Sequence, residues 1–210
     1  KVVLVTGPTS AGKTFGAEKF AEIVLQNPRA VLSLDMTHYA DENGTQIGTH
    51  RLLGMPIGYQ DQQKFKGVLP EFLRGPGRGR NVIILNEFDK SGPKAARVLM
   101  EAFDTGILQS GDGLNDALGN SVVIITANKG EDLIYPHGLK KPLTRSEQRA
   151  RLSKLTDAKI RELFLRPDPN NLYDQSQVLD RSFMQRIYRA VPVGPISFES
   201  AQTVARRKAE

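Results

Sequence analysis

The chain contains no cysteine, and this absence excludes a disulfide framework as well as a metal site built from thiolates. It also has no stretch near the ~18 consecutive apolar residues that a membrane span requires. The sequence begins at Lys1 and enters an apolar segment at once, with no signal peptide, so we interpret it as a domain of a longer protein. We therefore expect a soluble, cytoplasmic protein that has no membrane partner.

Outside one segment, positive and negative charges balance. The net charge of +6 is carried by residues 139–166, which hold nine Lys or Arg and three acidic residues. No aromatic side chain is interleaved among these basic residues before Phe164, so the pattern favours a solvated helical face over a nucleic-acid surface. At 210 residues, 39% of them hydrophobic, the chain is long enough for one large domain with a buried core.

Short apolar runs rich in valine and isoleucine recur along the chain, and turn-forming or polar residues bound each of them. Such runs are typical of strands buried in a parallel sheet. Helical patterns lie between them, at Lys13–Gln26 and Pro93–Phe103, and the first has apolar residues at helical spacing, Phe15, Phe20, Ile23 and Val24. The alternation predicts a doubly wound α/β sheet. Its predicted strands are Val2–Val5, Val31–Leu34, Val82–Leu85, Val122–Ile125 and Ala190–Val193.

The basic segment itself predicts two helices. Thr144 and Glu147 have the spacing of a capping box and precede a basic helix. A second helix is predicted near Asp157–Leu165, because prolines follow it at Pro167 and Pro169. Loops are expected at Gly75–Arg80 and in the segment 166–177.

A glycine-rich stretch, GPTSAGKT, follows the first strand and opens the first helix. It fits the G-x-x-x-x-G-K-[ST] phosphate loop in full, because its glycines let backbone N–H groups turn onto phosphate oxygens. In this pattern the lysine reaches the β and γ phosphates, the final threonine can bind Mg²⁺, and the helix N-terminus adds positive potential. The predicted binding residues are Gly7, Pro8, Thr9, Ser10, Ala11, Gly12, Lys13 and Thr14.

Polar residues end two further strands. Asn86 and Glu87 follow the third strand, where a phosphate-handling enzyme usually carries two adjacent carboxylates. Glu87 fits a general base for an attacking water, although an exposed loop acid is the plainer interpretation. Asn86 keeps an oxygen acceptor for a Mg²⁺-bound water but has no charge. Asn128 ends the next strand and could reach the γ-phosphate or the attacking water. Asparagine at a strand end is most often only a turn residue, so this interpretation depends on its combination with the phosphate loop and Glu87.

Three features, in this order and spacing, resemble those of AAA+ ATPases: the phosphate loop, the acidic strand end at Glu87 and the strand-end Asn128. The segment LDMTHYADENGTQIGTHRLLGMPIGYQDQQ, the stretch MEAFDTGILQSGDG and the motif LDRSFMQRI sharpen the match to Clp-type unfoldases, in the second ATPase ring of the ClpB/ClpA group. The resemblance covers most of residues 2–193 and is weakest over 131–177. It implies a three-layer αβα P-loop fold, the large subdomain of an AAA+ protein, with residues 131–180 as a divergent basic helical segment and loop.

The resemblance implies five parallel strands, with the Asn128 strand between the phosphate-loop strand and the Glu87 strand. Asn128 is then the sensor of the γ-phosphate. Arg186 matches the arginine finger that reaches a neighbouring subunit, with a surface arginine as the alternative. Tyr59 matches the pore-loop aromatic that grips polypeptide, with a partly buried loop tyrosine as the alternative. The implied partners are ATP, Mg²⁺, other subunits of a hexameric ring, a polypeptide substrate and an adaptor or protease.

Two departures from the family pattern bear on function. Asn86 replaces an aspartate, which puts the hydrolysis rate in question more than binding, and the sequence ends before the family's lid subdomain. We expect a slow ATPase that remodels or unfolds proteins by threading them through a ring. The alternatives are a nucleotide-binding assembly subunit with weak hydrolysis and, less favoured, a nucleic-acid remodelling ATPase.

Overall fold

The structure is a computed structural model that describes residues 1–40, 45–59, 66–128, 143–165 and 179–195. Its strands are β1 Val2–Thr6, β2 Val31–Asp35, β3 Asn81–Asn86, β4 Ile107–Gln109, β5 Asn115–Ala117, β6 Ser121–Ala127 and β7 Arg189–Pro192. Five of them form a parallel sheet in the order β2-β3-β6-β1-β7. This sheet confirms the predicted α/β fold and the five predicted strands, and it places β6 between β1 and β3 as expected.

The register of the sheet brings the predicted site residues to one edge. Thr6 at the end of β1 lies opposite Ala127 at the end of β6. Asp35 at the end of β2 lies opposite Asn86 at the end of β3. Because all of these strands are parallel, the residues that follow them leave the sheet at the same edge.

Helices cover both faces of the sheet. Their bounds are α1 Lys13–Leu25, α2 Ile47–Leu53, α3 Val68–Arg74, α4 Pro93–Thr105, α5 Arg145–Lys154, α6 Asp157–Leu165 and α7 Arg181–Arg186. On one face, α1 packs over a small core that includes Val82, Ile84 and Ile124. A larger core on the other face includes Leu99 of α4, Phe164 of α6 and Phe183 of α7.

The face that α1 buries differs from the one its apolar pattern suggests. The helix packs on the sheet through Ala17 and Ala21, whereas the four larger apolar side chains are exposed, Phe15, Phe20, Ile23 and Val24. Ala17 and Ala21 follow Lys13 by four and eight residues, so all three lie on one side of the helix. The inward direction of Lys13 therefore fixes the rotation of α1, and the small alanines let the helix lie close to the sheet.

A short antiparallel hairpin, β4 with β5, lies outside the main sheet and was not predicted. Arg74, the last residue of α3, fastens it by donating from Nε to Asp116 Oδ1 at 2.6 Å and from Nη1 to Asp112 Oδ2 at 2.5 Å. The N–H of Gly111 in the hairpin turn donates to Leu53 O of α2 at 2.8 Å. The hairpin is thus held beside the end of α2.

The basic segment forms the two predicted helices. The capping box is present, since Thr144 Oγ1 accepts from the N–H of Glu147 and Glu147 Oε2 accepts from the N–H of Thr144. None of the residues of α5 is buried, as expected of a solvated helical face. The predicted loop 166–177 lies outside the described residues. Among the described helices, none is both long and apolar enough to cross a membrane.

Candidate active site at the carboxyl edge of the sheet

The phosphate loop forms a turn between β1 and α1, with Lys13 folded into it. Lys13 Nζ donates to the backbone oxygens of Gly7 at 2.9 Å and Pro8 at 2.8 Å, and the side chain is buried. Gly12 has a φ of 79°, a left-handed conformation that favours glycine. At Gly7, an added Cβ would lie 2.1 Å from Val193 O, so only glycine fits there. The loop therefore presents its lysine and a helix N-terminus to one concave turn.

The same lysine connects the phosphate loop to the end of β6. Its Nζ donates to Asn128 Oδ1 at 2.7 Å. A γ-phosphate that approaches Lys13 consequently also approaches the Asn128 side chain. The structure brings together these two predicted residues, which are 115 positions apart in the sequence.

Asn86 sits at the centre of a hydrogen-bonded group at the end of β3. Its Oδ1 accepts from Thr14 Oγ1 at 2.8 Å and from Thr126 Oγ1 at 3.3 Å. Its Nδ2 donates to Ser33 Oγ at 3.1 Å. The amide oxygen thus faces the threonine that the phosphate-loop pattern assigns to Mg²⁺. Sequence reasoning did not identify Thr126 or Ser33, which become neighbours of Asn86 only through strand pairing.

Glu87 lies beside this group in a left-handed backbone conformation, with a φ of 51°. Its N–H donates to Thr126 Oγ1 at 3.1 Å, which holds the backbone of the two strand ends together. Its carboxylate is paired with Lys90, whose Nζ lies 2.5 Å from Glu87 Oε2. Donation to Glu87 raises the pKa of Lys90, so the lysine stays charged. The predicted base is therefore held in an ion pair with a residue three positions away.

A buried acid that the sequence did not single out lies beneath the strand ends. Asp89 is 4% exposed, and its pKa is raised by burial, partly offset by a hydrogen bond from the N–H of Asn128. Its Oδ1 has no hydrogen-bond partner among the described residues. Asp89 thus supports the backbone of Asn128 at the cost of a poorly solvated charge.

Asp89→Asn is expected to become more stabilising as the pH rises. The folded-state pKa of Asp89 is raised above its ordinary 3.8, so the wild-type carboxyl favours folding most below that value and loses this contribution as the pH rises through the folded pKa. Asparagine has no such titration and keeps an oxygen for the N–H of Asn128. We expect urea unfolding to show that the free energy of unfolding of the variant, relative to that of wild type, rises by about 1 kcal/mol between pH 4 and pH 8. A difference that is constant across this range would contradict the prediction.

The predicted arginine finger is paired within its own chain. Arg186, at the end of α7, donates from Nε to Asp104 Oδ2 of α4 at 2.9 Å and from Nη1 to Ser182 O at 2.5 Å. These partners lie in α4 and α7, away from the phosphate loop in sequence and in element. The structure therefore does not bring Arg186 into the site of its own chain through these contacts.

A second arginine fixes the end of the helix that carries Arg186. Arg161 of α6 donates to the carbonyl oxygens of Met184 and Ile187, the latter at 2.6 Å, and to Asp157 Oδ2 at 2.5 Å. Asp157 in turn accepts from the N–H of Ala190, at the start of β7, at 2.5 Å. The basic segment thus contributes a dyad that joins α7 and β7. Sequence reasoning gave these two residues no role.

Tyr59 lies in the segment after α2, and its side chain is 59% exposed. Its ring centroid is 6.3 Å from that of His50. Tyr59 is therefore exposed in the described part of the chain, and its role as a pore-loop aromatic stays a prediction. The ring is exposed on the surface, and residues 60–65, which follow it, lie outside the described residues.

With the site described, comparison with known proteins decides the family. The family model for the AAA domain (Cdc48 subfamily) matches residues 1–168. The chain belongs to the AAA family. Among its relatives, the chaperone protein ClpB of Helicobacter hepaticus is 27% identical over 214 residues, covering 97% of this chain and 23% of that protein. ClpB of Bdellovibrio bacteriovorus is 31% identical over 169 residues, covering 80% of this chain and 18% of that protein.

A solved structure supports the fold of this AAA domain. The closed-state cryo-EM reconstruction of Hsp104 with ATPγS and FITC-casein superposes with a TM-score of 0.68 at 19% identity, covering 98% of this chain and 31% of that one. These matches confirm the resemblance to Clp-type AAA+ proteins. The chain spans less than a quarter of the length of the two ClpB relatives.

The residues at the edge of the sheet suit a nucleotide with Mg²⁺. Lys13 and the helix N-terminus of the AAA domain offer positive charge and N–H donors to phosphate. Thr14 and Asn86 offer oxygen atoms, the ligand type that Mg²⁺ prefers. Within the described ranges, no group of three or more His, Asp or Glu side chains could hold a metal ion by itself. A Mg²⁺ at this edge would therefore take most of its ligands from phosphate and water.

Proposed function

We propose that this AAA domain binds ATP with Mg²⁺ at the phosphate loop and hydrolyses it within a ring that threads a polypeptide substrate. The observation that carries the proposal is the position of Lys13 Nζ, between the carbonyl oxygens of the phosphate loop and Asn128 Oδ1. This ammonium group lies where it can exchange backbone oxygens for phosphate oxygens. The same exchange would change the hydrogen bond between Lys13 and Asn128, at the end of β6, when a γ-phosphate binds.

Each neighbouring residue has a distinct task in this proposal. Thr14 and Asn86 would hold Mg²⁺ through their side-chain oxygens, and a bound Mg²⁺ would neutralise developing negative charge on the phosphates. Glu87 orients and deprotonates the attacking water. Asn128 Oδ1 accepts from Lys13 Nζ, and the amide N–H₂ of Asn128 can donate to the γ-phosphate. We assign the whole chain, residues 1–210, to the large ATPase subdomain.

The ion pair between Glu87 and Lys90 sets a condition on hydrolysis. The ammonium group of Lys90 lies 2.5 Å from Glu87 Oε2, so this pair directs the carboxylate toward Lys90. Glu87 must therefore turn from Lys90 toward the nucleotide before it acts. This requirement, together with the neutral Asn86, supports a slow ATPase.

The same two features favour one other function, a nucleotide-binding assembly subunit that turns over little. Steady-state ATP hydrolysis by the ring-forming protein separates the two, with calorimetric ATP binding measured beside it. Binding with hydrolysis supports the ATPase. Binding with no hydrolysis above that of the Glu87→Gln variant supports the assembly subunit, and no binding excludes both.

Arg186→Ala is expected to leave ATP binding by the isolated chain within about twofold and to slow hydrolysis in the assembled ring about a hundredfold, the usual cost of one lost donor to transition-state charge. The reason is that the guanidinium group would leave Asp104 and reach the neighbouring subunit's phosphates. ATPase assays of mixed rings measure this, because each variant subunit then inactivates a wild-type neighbour. Hydrolysis that falls only in proportion to the variant fraction would argue that Arg186 acts in its own subunit or not at all.

Asp104→Asn is the matched control for the finger. It removes the charge that holds Arg186 within its own chain but leaves the arginine in place. The ring should retain hydrolysis of the wild-type order. A loss as large as that of Arg186→Ala would show that the ion pair, rather than a free finger, is what hydrolysis needs.

Tyr59→Ala is expected to spare ATP hydrolysis and to slow unfolding of a tagged model substrate about tenfold, because an exposed ring is lost from the surface proposed to grip polypeptide. Tyr59→Phe keeps the ring and should behave as wild type. The measurement is substrate unfolding by the assembled ring, followed by loss of substrate fluorescence. Equal unfolding rates for wild type and Tyr59→Ala would dismiss the pore-loop role.

A further inference from the structure

A chain of hydrogen bonds runs from the phosphate loop to an acid on the first helix. Thr14 Oγ1 donates to Asn86 Oδ1 at 2.8 Å, and Asn86 Nδ2 donates to Ser33 Oγ at 3.1 Å. Ser33 Oγ then donates to Glu18 Oε1 at 3.3 Å. Glu18 lies one helical turn after Thr14, so α1 contributes both ends of the chain.

The direction of these hydrogen bonds is set by the acid. An ionised carboxylate only accepts, so the single hydroxyl hydrogen of Ser33 is used by Glu18. Ser33 Oγ can then only accept from residue 86, which must supply a donor. The amide of Asn86 has one, and donating it to Ser33 turns Oδ1 toward Thr14 and Thr126.

We propose that Ser33 and Glu18 are positioning residues for the nucleotide site, which aim the amide oxygen of Asn86 at Thr14, the residue that would hold Mg²⁺ together with Asn86. The inference rests on the proposed binding of ATP with Mg²⁺. It explains how an amide serves at a position where a carboxylate is expected. A carboxylate presents an oxygen to Thr14 in either orientation of its side chain, whereas an amide does so in only one. Asn86 therefore needs an orienting partner that an aspartate does not need.

Glu18 also places a negative charge near a site whose residue 86 is neutral. The charge is carried by α1, on the same side of the helix as Thr14. Loss of this charge is expected to weaken the contribution of Mg²⁺ to nucleotide binding. Loss of the Ser33 hydroxyl is expected to weaken it as well, because the amide is then free to turn.

The test is calorimetric binding of ADP to the full chain, first with excess Mg²⁺ and then with EDTA. The ratio of the two affinities measures the contribution of Mg²⁺ and does not depend on hydrolysis. Ser33→Ala should lower this ratio about fivefold, the change expected for the loss of one hydrogen bond of ordinary strength. Glu18→Gln should lower it by a similar factor, because glutamine has no charge and its amide can donate to Ser33, whose hydroxyl is then no longer restricted to accepting from Asn86. Affinity in EDTA should stay unchanged. Glu22→Gln is the matched control, since Glu22 lies on the same helix and pairs with Lys19 in an exposed position, and its ratio should equal that of wild type.

A repeat of the Ser33→Ala substitution in Asn86→Asp protein separates loss of positioning from a general disturbance of the site. In Asn86→Asp protein, Ser33→Ala should change the ratio less than twofold, because a carboxylate needs no orienting donor. A fivefold fall in both backgrounds would overturn the positioning role.

Four further results would count against the proposal. Ratios within twofold of wild type for both variants would overturn it, and a fall in Ser33→Ala without one in Glu18→Gln would overturn the role of Glu18. Wild-type protein that binds ADP equally with and without Mg²⁺ would overturn this inference while leaving nucleotide binding intact. Wild-type protein that binds no ADP would overturn the proposed function as well.

Discussion

Lys13→Ala is expected to lower ATP affinity about a thousandfold, the equivalent of about 4 kcal/mol for two charge-assisted hydrogen bonds to phosphate. The lysine is buried in the turn of the loop and already bonds three oxygen acceptors there. A methyl group leaves the phosphates without these donors, and no other lysine or arginine occurs in the loop from Gly7 to Thr14. Calorimetric titration with ATP measures the change directly.

Two controls make this result specific. Lys19→Ala removes a positive charge from the exposed side of the same helix, where the ammonium pairs with Glu22, and should keep wild-type affinity. Thermal unfolding of the nucleotide-free proteins tests whether Lys13→Ala still folds, because the lysine also ties Asn128 to the loop. A folded Lys13→Ala protein that binds ATP as wild type does would refute the phosphate-loop assignment.

Glu87→Gln is expected to leave ATP binding within about twofold and to slow hydrolysis about a thousandfold, within the range for loss of a general base. Glutamine has the same length and keeps an oxygen, but its amide cannot take the proton of the attacking water. The variant also loses the ion pair with Lys90, which is solvent-exposed and contributes little to stability. The measurements are ATP affinity by calorimetry and phosphate release by the assembled ring.

Lys90→Met provides the complementary variant for the same site. It keeps an unbranched side chain without the ammonium group and releases Glu87 from its ion pair, so hydrolysis should be equal to or faster than in wild type. Hydrolysis by Glu87→Gln at the wild-type rate would show that Glu87 is not the base. A Lys90→Met protein as inactive as Glu87→Gln would show instead that the ion pair itself is needed.

The fold and the phosphate loop could be predicted because their signals are local. A buried parallel strand needs a short run of apolar residues, and each predicted strand lies within two residues of its observed bounds. The loop needs glycines at fixed spacing, and Gly7 and Gly12 occupy the positions where a side chain would clash or strain the backbone. The strand order came from resemblance to a family rather than from these local patterns.

The partners of the site residues could not be predicted, because they are set by pairing between distant segments. Ser33 reaches Asn86 across the β2–β3 pair, which joins residues 53 positions apart. Asp104 reaches Arg186 through the packing of two helices, across 82 positions. Asp89 reads as one more polar residue after a strand, and only its burial marks it as unusual. Apolar spacing predicted that α1 is a helix but did not indicate which face is buried, because the buried face carries Lys13, Ala17 and Ala21.

A single round of hydrolysis by wild-type rings tests the proposed ATPase activity most directly. The rings are loaded with ATP and Mg²⁺, freed of unbound nucleotide, and followed for released phosphate, with Glu87→Gln rings as the background. We expect all bound ATP to be hydrolysed, slowly but well above that background, because the neutral Asn86 weakens Mg²⁺ binding without removing the base. Bound ATP that stays intact in wild-type rings for as long as in Glu87→Gln rings would contradict it.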